Sequence, residues 1–485
     1  LILYSGIDIA PQIRYDERTI LKFPALRPEQ KRESKPMKRN LTLKENIVVA
    51  SMLFGLFFGA GNLIFPVYMG QMAGRNIWQA AAGFLITGVG LPLMGVAALG
   101  ISRSSGLYEM GLKVSRGFSL GFTCLLYLTI GPFFAVPRCA TTSFTVGLEQ
   151  VLPQGNTKLY LLLFSLAFFA AVLFFALRPG KILVWVGKVL NPCFLLFLAV
   201  LIVSAMLHPT AAVADVVPEG KYAAQPFFTG FLEGYNTMDA LASLAFGIIV
   251  VQVIRDLGVQ EPGAIAGSTV RAGVMSCLLM ALIYVAIAIV GAQSRGVLPA
   301  AANGGVAFAQ IARYYLGNTG LIVLAATVTL ACLKTAVGLI TGCAETFSAL
   351  FKKGPSYKAW AITFSAVSFV FANLGLDAII KYSVPVLMLL HPIAIMLIVL
   401  TLCGKLFKND PVVFRWTISF TAIAAIYDMF AALPKELWSA LHGEEIKAVA
   451  EKLLPLAGQG LGWLCPAALG LVIGLAIHVY RLRKA

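Results

Sequence analysis

Apolar stretches long enough to cross a bilayer recur along this 485-residue chain, at approximately 46–69, 78–100, 118–146, 159–177, 183–207, 226–254, 268–292, 318–350, 357–373, 378–403, 412–433 and 460–480. A membrane-spanning helix needs about 20 such residues. The spacing predicts an all-α integral membrane protein of twelve transmembrane helices. Only 12% of residues are charged and 59% are hydrophobic, whereas soluble domains carry about a quarter charged residues. No connecting loop holds enough chain for a folded domain of its own, so the activity is expected within the lipid bilayer.

The formal charge is +16. The basic residues are scattered between apolar spans, with no aromatic-interleaved basic surface, which argues against nucleic acid as a partner. Their placement gives orientation instead. With the N-terminus inside, Arg103, Lys113, Arg116, Lys188, Arg255, Arg271, Lys352, Lys353, Lys405 and Arg481 fall on inner connections, and outer ones hold about half as many. Both termini are therefore expected on the cytoplasmic side. Residues 1–44 read as a cytoplasmic tail, of which 1–36 is a translated extension or a disordered segment ahead of Met37. The eight cysteines lie in or beside apolar segments and are expected to stay unpaired. Two outer connections, 293–317 and 434–459, have the apolar spacing of surface helices.

Two spans are not plain. The first contains "FGLFFGAGNLIFP" (54–66), where glycines, Asn62 and Pro66 interrupt an apolar run. A broken helix in lipid exposes backbone groups that must face protein, water or ligand. The bland alternative is a glycine face for tight packing, with Asn62 bonded to a neighbouring helix. The sixth span reads "GFLEGYNTMDALASLAFG", with Glu233, Tyr235, Asn236, Thr237 and Asp239 crowded together. Two interrupted spans at corresponding places are the signature of an inverted repeat with a binding site at the midplane. The halves would be 45–207 and 226–403, with two additional helices and a basic C-terminus in 412–485. Glu233 and Asp239 have a plainer reading, as snorkelling or capping groups at the outer interface.

Charges at membrane depth cost about 2.5–3.5 kcal/mol on insertion scales and so face a cavity or a partner. The third span places Arg138 in "GPFFAVPRCATTSF" and the eighth places Lys334 in "LACLKTAVGLITGCAETF". Arg138 also fits a structural salt bridge or a clamp on backbone carbonyls. Lys381 follows Asp377 by four residues, a spacing that lets the two pair on one helical face.

With these residues in hand, the chain resembles the bacterial branched-chain amino acid:cation symporters, the BrnQ-like family of the APC transporter superfamily. The resemblance runs from about residue 40 to 480. It is carried by "FGAGNLIFP", "GFLITGVGLP", "GPFFAVPRCATTSF", "PGK" (179–181), "GYNTMDALASLAFG", "ACLKTAVGL", "NLGL" (373–376), "SVPVL" (383–387) and "GLGWLCPA". It implies uptake of leucine, isoleucine and valine across the bacterial cytoplasmic membrane, driven by Na⁺, with a LeuT-like five-plus-five inverted repeat.

By that resemblance, Ala60 and Gly61 would offer N–H groups to the substrate carboxylate, in a substrate site shared with Asn62, Tyr235, Asn236 and Thr237. Half-helix N-termini carry a partial positive charge suited to an anion. One cation site would use Phe57, Asn62 and Thr237; a second would use Gly55, Phe58, Ala331 and Thr335. Arg138, Lys334 and Asp239 are the candidates for coupling. Two departures from the pattern stand out: Cys139, where many relatives carry threonine, and Lys334, where sodium-coupled relatives carry a neutral residue. If the Lys334 ammonium enters the second cation site it replaces Na⁺, giving a proton-coupled or ion-independent carrier or exchanger. If it faces another wall and pairs with Glu345 or Asp239, sodium stays. No cofactor is expected beyond the transported ion.

An intramembrane enzyme is the remote alternative. The histidines at 208, 391, 442 and 478 are dispersed, and no HExxH or Gly-x-Ser-x-Gly motif appears. A channel would need a repeated filter element, which the sequence lacks.

Overall fold

The computed structural model describes residues 40–484 apart from 103, 105, 154, 179–180 and 441–442. The expected tail over 1–36 and the first two residues of "PGK" lie outside the described residues. Every regular element described is a helix, as lipid requires of a chain that must satisfy its own backbone groups. Among the described residues eight helices are long and apolar enough to cross a membrane. A ninth is added if Pro226–Gly247 and Ile249–Asp256, bent by 45°, make one span. Apolar side chains such as Leu278, Leu282, Val370 and Ile423 point outward, the inside-out surface expected of a lipid-facing bundle.

The helices that frame the centre are α1 (Leu43–Phe57), α2 (Gly61–Ala73), α3 (Ala135–Val146), α4 (Pro226–Tyr235), α5 (Asp239–Asp256), α6 (Pro262–Ser294) and α7 (Gly304–Leu350). A capping box opens α1: the Glu45 N–H donates to the Thr42 hydroxyl at 3.3 Å, and the Thr42 N–H donates to the Glu45 carboxylate at 2.9 Å. α1 stops at Phe57, Phe58 turns extended with ψ 92°, and the chain becomes helical again at Gly61. The first expected break is therefore present. It precedes Pro66, which lies inside α2 and withholds the N–H that would have bonded the Asn62 carbonyl.

The second expected break is present too. α4 ends at Tyr235, Met238 takes a left-handed φ of 63°, and α5 starts at Asp239. A non-glycine residue in that conformation costs about 1–3 kcal/mol and persists only where its surroundings hold it. A third interruption carried no mark in the sequence reading. Gly131 (φ −96°, ψ −117°) breaks the third span just before α3, beside Pro132.

Glycines bring the framing helices almost into backbone contact. A Cβ on Gly70 of α2 would strike the Ala288 carbonyl of α6, and one on Gly291 of α6 would strike the Val67 carbonyl of α2. Small residues at such crossings let dispersion replace the hydrophobic drive that lipid does not supply. Both connections read as surface helices contain them: Gly304 to Leu316 is helical up to a break at Gly317, and Lys435–Ala440 and Gly443–Leu453 occupy 434–459. One pairing is corrected. Lys381 does not pair with Asp377; its ammonium meets Glu436 at 3.4 Å, and Asp377 accepts a bond from Asn303 at 2.8 Å. Spacing of four residues permits a contact, and here better-placed partners from elsewhere in the chain take both groups.

Candidate functional site

The breaks in α1–α2 and α4–α5 face one buried cavity of about 40 Å³. Its wall includes Phe57, Gly59, Ala60, Gly61 and Asn62 from the first break and Thr237, Met238 and Asp239 from the second. Arg138 and Cys139 of α3 and Thr335 of α7 close it, with apolar surface from Leu56, Ile130, Ala135, Ala242, Phe246 and Leu339.

A hydrogen-bonded cluster fixes the two breaks to each other. The Asn62 side-chain oxygen Oδ1 accepts from the Gly59 N–H at 2.8 Å. Its amide nitrogen donates to Asp239 Oδ2 at 2.6 Å and to the Tyr284 hydroxyl of α6. Tyr284 in turn donates to the same Asp239 oxygen at 2.9 Å. Within the second break the Asp239 N–H donates to the Thr237 hydroxyl at 3.3 Å, and that hydroxyl donates to the Gly234 carbonyl at 2.9 Å. Asn62, Asp239 and Tyr284 are all nearly fully buried. A buried carboxylate needs such donors to stay tolerable.

Arg138 supplies the opposite charge. Its Nη1 donates to the Asn236 carbonyl at 2.7 Å, so it clamps the end of α4, and its guanidinium lies over the Phe65 ring at 5.0 Å. Its Nε is buried without a hydrogen-bond partner.

The residues read from sequence fall into two groups. Ala60, Gly61, Asn62, Phe57, Thr237, Thr335, Arg138 and Asp239 all line the cavity. Tyr235, Asn236, Gly55, Phe58, Ala331 and Lys334 do not. The Tyr235 ring stacks on His391 at 4.1 Å, turned from the cavity, and Asn236 takes part through its carbonyl. The Ala331 carbonyl accepts from the Thr335 hydroxyl at 3.1 Å. Gly59 packs against Thr335, a Cβ there falling 3.3 Å from its methyl. Tyr284 was missed, and its only mark in the sequence is one hydroxyl among several in a mostly apolar span.

An all-helical membrane protein whose two broken helices face one cavity lined by opposite charges has the build of a membrane transporter. Residues 42–481 match the family described as branched-chain amino acid transport protein, and the chain belongs to that family. A branched-chain amino acid permease, BrnQ, of Lactobacillus delbrueckii subsp. lactis is 52% identical over 434 residues, covering 89% of this chain and 96% of its own. The permease BrnQ of Bacillus subtilis (strain 168) is 38% identical over 449 residues, covering 93% and 100%. These relatives are transport proteins rather than enzymes. Among solved structures, the nucleobase-cation-symport-1 family transporter Mhp1, closed with bromovinylhydantoin bound, superposes with a TM-score of 0.55 at 15% identity, over 93% of this chain and 95% of its own. The fold is thus that of the LeuT-like transporters.

Proposed function

We propose that this protein imports leucine, isoleucine and valine across the bacterial cytoplasmic membrane by Na⁺ symport and alternating access. In this reading twelve spans form a five-plus-five inverted repeat with two further helices, and both termini are cytoplasmic. The observation that carries it is the convergence of the two helix breaks, at 58–60 and 236–238, on one buried cavity. Such breaks supply what a zwitterion and a cation need: free N–H groups at the start of α2 for the carboxylate, and freed carbonyls with the Thr237 and Thr335 hydroxyls for the ammonium and Na⁺.

At about 40 Å³ the cavity has room for water but is smaller than the roughly 150 Å³ that accepts a benzene-sized ligand. Leucine enters only if the framing helices separate, which supports a carrier that alternates between states. The apolar wall from Ala242, Phe246 and Leu339 suits a branched side chain, and one methylene there changes affinity by about 1–3 kcal/mol. One carrier for all three amino acids follows from that weak discrimination. Thr335 lines the cavity beside the first break and offers a hydroxyl to a cation there.

The test is uptake of labelled leucine into proteoliposomes under a Na⁺ gradient, an H⁺ gradient or neither, for wild type and Lys334→Thr. Sodium-driven uptake in both is the expected result. Sodium-independent uptake that becomes sodium-dependent in the variant would assign the ion's place to Lys334.

A further inference from the structure

The charges around the cavity are unbalanced in a way that identifies which end of a ligand each would hold. Arg138 is 3% exposed. Of its donors, Nη1 bonds Asn236 and Nε is orphaned, and Nη2 lies over the first residue of α2, where a Cβ on Gly61 would fall 2.9 Å away. No carboxylate among the described residues is recorded within ion-pair distance of it. A cation is therefore set at the N-terminus of a 13-residue helix, the end where positive charge is disfavoured, at a depth where an unpaired guanidinium is costly. α2 has no side-chain cap either: Ala60 stands at its N-cap. Guanidinium and helix end together form a positive pole that Asp239 acts on through space, with no salt bridge to it among the described residues.

The negative pole is Asp239. It opens α5, where a carboxylate is favoured. The bonds from Asn62 and Tyr284 both fall on Oδ2, and the Thr237 hydroxyl also lies against the carboxylate. Both poles line the same cavity. One buried positive pole and one buried negative pole, across a space with apolar walls, are complementary to an α-amino acid zwitterion.

Resting on the transport reading above, we propose that Arg138 binds the substrate's α-carboxylate together with the N–H groups at the start of α2, and that Asp239 binds its α-ammonium. The clamp on the Asn236 carbonyl then ties carboxylate binding to the end of α4, so the substrate bridges the two broken helices through charged side chains as well as backbone.

The experiment is binding of labelled leucine to the purified protein in Na⁺-containing detergent buffer, competed by 4-methylpentanoate, which lacks the ammonium, and by 3-methylbutylamine, which lacks the carboxylate. Arg138→Gln should weaken leucine about 10- to 100-fold, the range of a lost hydrogen bond to a charged group, and leave 3-methylbutylamine unchanged. Asp239→Asn should weaken leucine similarly and leave 4-methylpentanoate unchanged. Gly61→Ala, which displaces the guanidinium without removing a charge, should reproduce the Arg138→Gln split if that variant fails to fold.

Equal weakening of leucine and the amine in Arg138→Gln or Gly61→Ala, or undiminished leucine binding, would overturn the carboxylate assignment. A changed Na⁺ dependence in Asp239→Asn with unchanged selectivity between the analogues would overturn the ammonium assignment and give Asp239 to the cation. Absence of leucine binding in the wild type would instead overturn the transport reading itself.

Discussion

Replacing Asn62 by alanine removes three bonds at once: one from the Gly59 N–H, one to Asp239 and one to Tyr284. Hydrogen bonds between neutral groups in membrane proteins average about 0.6 kcal/mol in double-mutant cycles, and a bond to a charged group is worth about 1.5 kcal/mol at the low end of its range. Two of the first kind and one of the second give about 2.7 kcal/mol, or roughly a 100-fold loss of affinity if the cluster holds the site in its binding shape. The variant also leaves the Gly59 N–H without its partner at the very turn that has to stay open. Labelled leucine binding to purified Asn62→Ala, alongside uptake in proteoliposomes, reads the effect directly. Insertion and expression should be normal, because α1 and α2 keep their apolar surface. Affinity within about twofold of wild type would refute the claim that this cluster sets the site.

Gly61→Trp should abolish uptake while leaving membrane insertion intact, because its side chain would fill the cavity and strike Arg138 and Phe65; near-normal uptake would remove the first break from the site. Gly70→Leu should lower thermal stability in detergent by about 3 kcal/mol or more, since its Cβ meets the rigid Ala288 carbonyl rather than a flexible side chain. Competition assays should rank leucine, isoleucine and valine within about 200-fold of one another, the upper worth of a methylene in an apolar pocket.

A last prediction concerns pH. Asp410 caps the helix Pro411–Ala431 through the Val412 N–H at 2.9 Å and meets His478 at 2.7 Å. Burial pushes its carboxyl up, but those bonds and the nearby Arg481 outweigh burial and hold it below the usual aspartate value. Its contribution is complete above that value and is lost as pH falls through the depressed one. Asp410→Ala should therefore cost about 1 kcal/mol of stability near neutral pH, a deficit that thermal melts should show shrinking as pH falls below the ordinary aspartate range.

Much of the site was legible because its parts are expensive in lipid. Glycine, proline and asparagine inside an apolar run, and crowded polar residues in another, mark places where a helix gives up backbone bonds. The breaks lie at 58–60 and 236–238, as those residues imply. Arg138 and Asp239 were legible for the same reason, since each is a charge that nothing in its own span can satisfy. Tyr284 was not, because a hydroxyl in a mostly apolar span has several possible neighbours and only the rotation of α6 against α2 and α5 aims it at Asn62 and Asp239. The Tyr235 side chain is turned toward His391, 156 residues away in sequence, by packing between helices. Helical spacing put Lys381 beside Asp377 and could not foresee Glu436, which reaches it from a later connection. Local patterns reveal where a helix must break; partners across the bundle depend on orientation.

The central claim is that a branched-chain amino acid sits between the two helix breaks. A structure determined with saturating leucine and Na⁺ tests it most directly. The account predicts leucine density between 58–62 and 236–239, with its carboxylate toward Gly61 and its side chain toward Phe246 and Leu339. Leucine density elsewhere, for instance in the cleft lined by Asp215, Glu219 and Arg295, with none at the breaks, would contradict it.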